Sequence, residues 1–173
     1  MLRGLGGRLR REDGTATIEF VILFPAFMTL LLSTFEISLY LARSTMLERA
    51  LDINVRSLRL GTLEPATREE LKRRICRDAL ILPNCDATMM IELTSVSTTT
   101  WNLPNPGITC ANRDEEIQPA LDFVLGGLND LMMVRACAVV EPFFGTTNYV
   151  MNLPKDPTGG FTLTASSTFV NEP

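Results

Sequence analysis

Two carboxylates bracket the longest apolar run of this chain. Glu19 stands at its entrance, five residues after Gly14, and Glu36 stands at its exit. A carboxylate at the edge of lipid is costly unless it finds a partner, so the chemistry open to Glu19 is charge pairing. A second chemistry belongs to Cys76, Cys85, Cys110 and Cys137. None of them forms a C-x-x-C pair, which argues against a metal knuckle or a dithiol redox motif. All four follow the apolar run, and an even set on one side of a membrane segment fits an oxidising compartment and disulfides. Histidine is absent from the sequence. That removes the usual general base and the commonest zinc ligand, and it leaves a Ser or Cys nucleophile without its commonest activator. Asp130 and Glu141 are scattered carboxylates, and no glycine-rich phosphate loop follows a strand. The expectation is a protein that is not an enzyme and holds no cofactor or metal. The net charge of −4 carries no nucleic-acid footprint.

The element that positions both glutamates is the run itself. Phe20 to Phe35 reads FVILFPAFMTLLLSTF without a charge, and Ile18, Ile37, Leu39 and Leu41 extend its apolar character. A spanning helix needs about 20 such residues. Arg3, Arg8, Arg10 and Arg11 precede it in a short arm, and the positive-inside rule keeps such an arm in the cytoplasm. Residues 1–14 are therefore expected to be a basic cytoplasmic leader, 15–41 a transmembrane helix, and 42–173 an extracytoplasmic domain. The expected location is a single-pass cell (inner) membrane protein whose C-terminal domain is periplasmic or extracellular. A cleaved signal peptide fits poorly, because the run is too long and SLYLARS after it lacks an A-x-A-like site. Pro25 predicts a kink in the first third of the span, tolerated in lipid where neighbours satisfy the freed carbonyl. Phe35 and Tyr40 read as interface anchors, and Glu36 as a boundary residue.

Gly14, Thr15-Ala16-Thr17-Ile18 and Glu19-Phe20 form G-x-x-x-x-E-F at the mouth of the run. With arginines behind it, this resembles a type IV prepilin processing site. The resemblance implies that a prepilin peptidase cuts after Gly14, leaving Thr15 as the new N-terminus and Glu19 as the fifth residue. Glu19 would then pair with the free amine of a neighbouring subunit and set the register between helices. Thr15 departs from the aromatic or aliphatic residue that many pilins carry there. The longer stretch ATIEFVILFPAFMTLLLSTFEISLY, with Glu19-Phe20, then Pro25, then Glu36, resembles the N-terminal segment of TadE-like pseudopilins of the tight-adherence (Tad) pilus. The tail ASSTFVNEP is similar to the end of those proteins. The resemblance implies a minor pseudopilin that assembles or primes a Tad-type pilus. Its partners would be the peptidase, other pilins and pseudopilins, an inner-membrane assembly platform and the lipid bilayer. The alternative is an uncleaved membrane-anchored subunit of the pilus or secretion platform.

After the span, Leu47, Leu51, Val55 and Leu58 share one helical face from Ala42 to Leu60, with Gly61 as its stop. Thr67 and Glu70 make a capping box for a second helix through REELKRRICRDAL. Its Lys72-Arg73-Arg74 cluster reads as a solvated face. The period then changes to two over Thr88 to Ser97, Leu131 to Glu141 and Phe161 to Asn171. Each has one apolar face, which predicts an antiparallel sheet covered on one side. Thr98 to Asn112 and Pro142 to Gly160 read as loops, and Glu115 to Asn129 as a helix. The fold class expected is α+β: a long N-terminal transmembrane helix, then a small domain with helices packed on a roughly three-stranded antiparallel sheet. Four cysteines allow three pairings. Cys76–Cys85 with Cys110–Cys137 is favoured, because Cys137 points away from the apolar face, where a loop can reach it.

Overall fold

The computed structural model describes residues 15–101, 103, 107–115, 117–145, 152–153, 155–156 and 158–172. The order of elements is α1 (Thr15–Arg59), α2 (Arg68–Asp78), α3 (Cys85–Thr88), β1 (Met89–Val96), β2 (Leu131–Val140) and β3 (Phe161–Val170). The fold is α+β.

α1 has 45 residues, about 67 Å at the helical rise. It is a single element across Pro25, so the kink expected there does not interrupt it. Most of its first half lies exposed, and its second half packs on β3 and α2. Leu47, Ala50, Leu51, Val55 and Leu58 are buried on that inner face, at the spacing that keeps side chains on one side of a helix. The helix ends in a Schellman turn. The Gly61 N–H donates to the Leu58 carbonyl at 3.1 Å and the Thr62 N–H to that of Ser57 at 2.9 Å. Gly61 sits at φ +64°, the left-handed conformation that glycine adopts without strain.

α2 is capped by Thr67, whose hydroxyl accepts from the Glu70 N–H at 3.3 Å. It buries Leu71 and Ile75 and stops at Asp78, two residues short of the expected Leu80. Glu70 pairs with both Arg73 and Arg74 along the helix surface, and Arg73 stays exposed, as the solvated-face reading expects. These two arginines hold its carboxyl below the usual range. The short α3 is a single turn with too few residues to carry a periodic signal in the sequence.

The sheet is a meander in the order β1-β2-β3, antiparallel throughout. Met89 pairs with Ala138 and Val96 with Leu131; Leu131 pairs with Val170 and Val140 with Phe161. Met89, Ile91, Leu93, Met132, Val134, Ala136, Ala138, Val140, Phe161, Leu163, Ala165 and Phe169 join the buried face of α1 and α2 in one core. The opposite face of β2 is also covered in part, which corrects the expectation of a one-sided sheet. There Cys137 and Val139 are buried, with Ala111. Gly160 lies close against this face: a Cβ on it would come within 2.6 Å of Val139 Cγ1 and 2.7 Å of an Arg113 nitrogen. Disulfides join Cys76 to Cys85 and Cys110 to Cys137. The first ties α2 to α3, and the second ties the long β1–β2 connection to the middle strand.

The expected helix over Glu115 to Asn129 is absent among the described residues, which form irregular chain. Phe123 instead makes a parallel bridge to Leu93. The Leu93 N–H donates to the Asp122 carbonyl at 2.9 Å, and the Val124 N–H donates back to Leu93 at 3.0 Å. An open strand edge offers backbone partners that a helix would have to forgo. Pro119, Gly126 and Gly127 weaken the helical alternative, and Asn129 at φ +63° turns the chain into β2.

Candidate functional site on the N-terminal helix

The exposed half of α1 is apolar on every side. Its most apolar window has a mean hydropathy of 2.0 and none of it is buried. Ile18, Phe20, Val21, Ile22, Leu23, Phe27 and Leu30 all lie exposed. A helix hydrophobic all round belongs in a membrane or among other helices. Its hydroxyls fit that setting. Thr29 donates to the Ala26 carbonyl, Thr34 to that of Leu30 and Ser38 to that of Thr34, each at 2.8 Å. These bonds satisfy the hydroxyl protons of Thr29, Thr34 and Ser38 within the helix, as an apolar medium requires. Pro25 has no N–H and frees the Val21 carbonyl. Phe20 stacks on Phe24 with ring centroids 5.0 Å apart. α1 is thus compatible with a single-pass membrane anchor.

The two glutamates have different surroundings. Glu19 is exposed on the uncovered half of the helix. Glu36, 17 positions later and about 26 Å along the axis, is only 2% exposed. Its carboxylate accepts from the Phe143 N–H at 3.0 Å and from the Phe144 N–H at 2.9 Å. Two turns further along the helix, the Arg43 guanidinium donates to the Glu141 carbonyl at 3.2 Å. Burial holds the Arg43 pKa below its ordinary value, and the nearby Glu36 charge opposes that shift. Helix and loop therefore exchange complementary groups: an acid takes two backbone donors, and a base takes a backbone acceptor. The reading of Glu36 as a plain boundary residue is corrected by this clamp.

Aromatic rings surround the clamp. Phe35 lies 5.9 Å from Phe143 and 6.0 Å from Phe144, in edge-to-face geometry. Tyr40 packs edge-on against Phe161 at 6.0 Å, so it serves the domain rather than a membrane interface. The loop is braced from the other side by Arg113. Its guanidinium pairs with the Glu141 carboxylate and lies 3.5 Å from Asp156. Asp156 accepts from the Gly160 N–H and the Thr158 hydroxyl, both at 2.6 Å. Burial works against its ionised form, but these bonds and Arg113 hold the Asp156 pKa below the ordinary range.

Gly14 lies outside the described residues, and Thr15 is the first residue of α1. Glu19, Phe20 and Pro25 stand on one uncovered helix, while Glu36 belongs to the base of the domain. The four cysteines lie within the domain, remote in sequence from Glu19. The contact of Glu36 with Phe143 and Phe144 escaped sequence reasoning because 107 positions separate the partners. The usable signal was an acid and a base two turns apart on one helix, facing a Glu-Pro-Phe-Phe loop.

Residues 14–53 match a family model described as TadE-like protein. No curated protein and no solved structure matches the chain. The match begins at Gly14, takes in Glu19, Pro25, Glu36 and Arg43, and stops within α1 before the sheet. Over those residues the N-terminal helix of this chain is similar to TadE-like proteins, and that similarity supports a Tad pilus-associated protein.

Proposed function

We propose that this chain is a minor pseudopilin of the TadE-like kind, which takes part in assembling or priming a Tad-type pilus. A prepilin peptidase cuts after Gly14 on the cytoplasmic side of the inner membrane, and the domain lies in the periplasm or beyond. α1 crosses the bilayer and packs against the helices of other pilins and pseudopilins, in contact with the assembly platform. The role is structural rather than enzymatic. The observation that supports this best is the uncovered apolar half of α1 with Glu19 open at its inner end. After cleavage a charged amine at Thr15 and the Glu19 carboxylate would both lie at the lipid boundary. Each is costly alone, and pairing them between adjacent subunits offsets both costs while fixing the axial register.

The test is N-terminal sequencing of the chain made with and without the peptidase. The expected mature terminus is Thr15 with the enzyme and Met1 without it, and Gly14→Ala keeps the longer form in both. A chain beginning at Met1 in both strains would instead be an uncleaved anchored subunit of the platform.

A further inference from the structure

We propose that Phe143 and Phe144, with Phe35, form a foot by which the domain inserts into the bilayer surface where α1 leaves it. This rests on α1 being the membrane anchor, and it adds a second, sequence-distant contact with lipid. Three observations carry it.

The first is depth. Phe35 lies 17 positions after Ile18, about 26 Å along the helix, against an apolar slab about 30 Å thick. The ring cluster therefore sits at the far boundary of the slab when the apolar run fills it. The second is exposure at that depth. Phe143 is 66% exposed and Phe35 49%, and their rings touch, so the loop continues the uncovered surface of the helix. Aromatic rings are favoured at this level of a membrane. The third is the state of the backbone. A loop enters an apolar medium at high cost when its N–H groups lack partners. Here Pro142 has no N–H, and those of Phe143 and Phe144 are taken by Glu36. Three successive residues thus present side chains to the membrane with no free backbone donor. The Glu36 carboxylate is the device that prepares the loop for lipid, and its placement on α1 puts the foot at the exit of the span.

The experiment uses the full chain in vesicles of phosphatidylcholine brominated either near the carbonyl end of the acyl chains or at mid-chain, to cover both depths. The single native tryptophan, Trp101, is exposed and lies beyond the distal end of β1, so wild type is the reference for the aqueous side. Trp101→Phe combined with Phe143→Trp reports on the foot, and Trp101→Phe with Phe24→Trp on the span. A third chain, Trp101→Phe with Phe144→Trp, repeats the measurement should the first substitution disturb the loop. The expected result is an emission loss of about twofold at position 24 with the mid-chain lipid and at 143 or 144 with the carbonyl-end lipid, and none at 101, as the slab and its boundary dictate. Quenching at 24 with none at 143 and 144 overturns the foot and leaves the anchor standing. Absence of quenching at all positions overturns the anchor as well.

Discussion

Glu36→Ala is the sharpest perturbation the structure offers. The substitution removes the carboxylate that accepts from the Phe143 and Phe144 N–H groups. Each donor left without a partner costs about 1–3 kcal/mol. Losing a buried carboxylate also relieves its desolvation, which offsets part of that loss. Phe143 lies at the headgroup level, where interfacial water can replace part of the lost bonding. The net local destabilisation is then about 2 kcal/mol, or about a 30-fold rise in the opening equilibrium of the loop. Glu36→Gln keeps one carbonyl acceptor without charge, and about 1 kcal/mol, near fivefold, is expected. The assay is amide hydrogen exchange of the full chain in nanodiscs, read at residues 143 and 144, with amides of β2 as the internal control. The expected order of protection is wild type, then Gln, then Ala, with β2 unchanged. Equal exchange at 143 and 144 in wild type and Glu36→Ala would show that the carboxylate does not hold the loop.

Glu19→Leu should insert into membrane as before yet lose co-assembly with pilins, counted as fibres by electron microscopy; normal fibre numbers would remove Glu19 from any register-setting role. The disulfides should differ in weight. On the chain-entropy account, replacing Cys110 and Cys137 by alanine, which opens a separation of 27, costs about 3.5 kcal/mol. Replacing Cys76 and Cys85, with a separation of 9, costs about 2.5 kcal/mol. Denaturant midpoints of the full chain in detergent measure both, and the reverse order would contradict that account. Acid should destabilise the domain. Glu70, Asp78 and Asp156 have pKa values held below their ordinary ones, so their contribution is complete above the ordinary carboxylate range near about pH 4. It is lost as pH falls through the lowered folded values. Thermal melts from neutral to acid pH should show a falling midpoint, with a shallower fall in Asp156→Asn; a flat profile would refute the assignment.

The parts of this fold that the sequence makes legible are those whose neighbours are near in the chain or repeat with a clear period. Leu47, Leu51, Val55 and Leu58 mark the inner face of α1 through their spacing, and Gly61 marks its end through chemistry that only its φ requires. Alternation over β1, β2 and β3 likewise shows which side chains enter the core. Glu115 to Asn129 misleads because Ile117, Leu121, Val124 and Leu128 recur at helical intervals, yet Ile117 is 85% exposed. What decides that segment is the vacant edge of β1 beside Leu93, a partner that no local window contains. The same holds at the candidate site. Glu19 and Pro25 are visible in a short motif, whereas the clamp at Glu36 depends on how β2 delivers its following loop to the helix.

The route of α1 across the sheet has a mechanical meaning. Tyr40 meets Phe161 at the start of β3, and Arg59 pairs with Glu172 just past its end. The helix is therefore fastened along the full length of the strand, and no linker parts its greasy half from its packed half. Torque applied to the shaft, or a pull along its axis, arrives in the head undiminished. A subunit built this way moves as a spanner does, handle and jaw together.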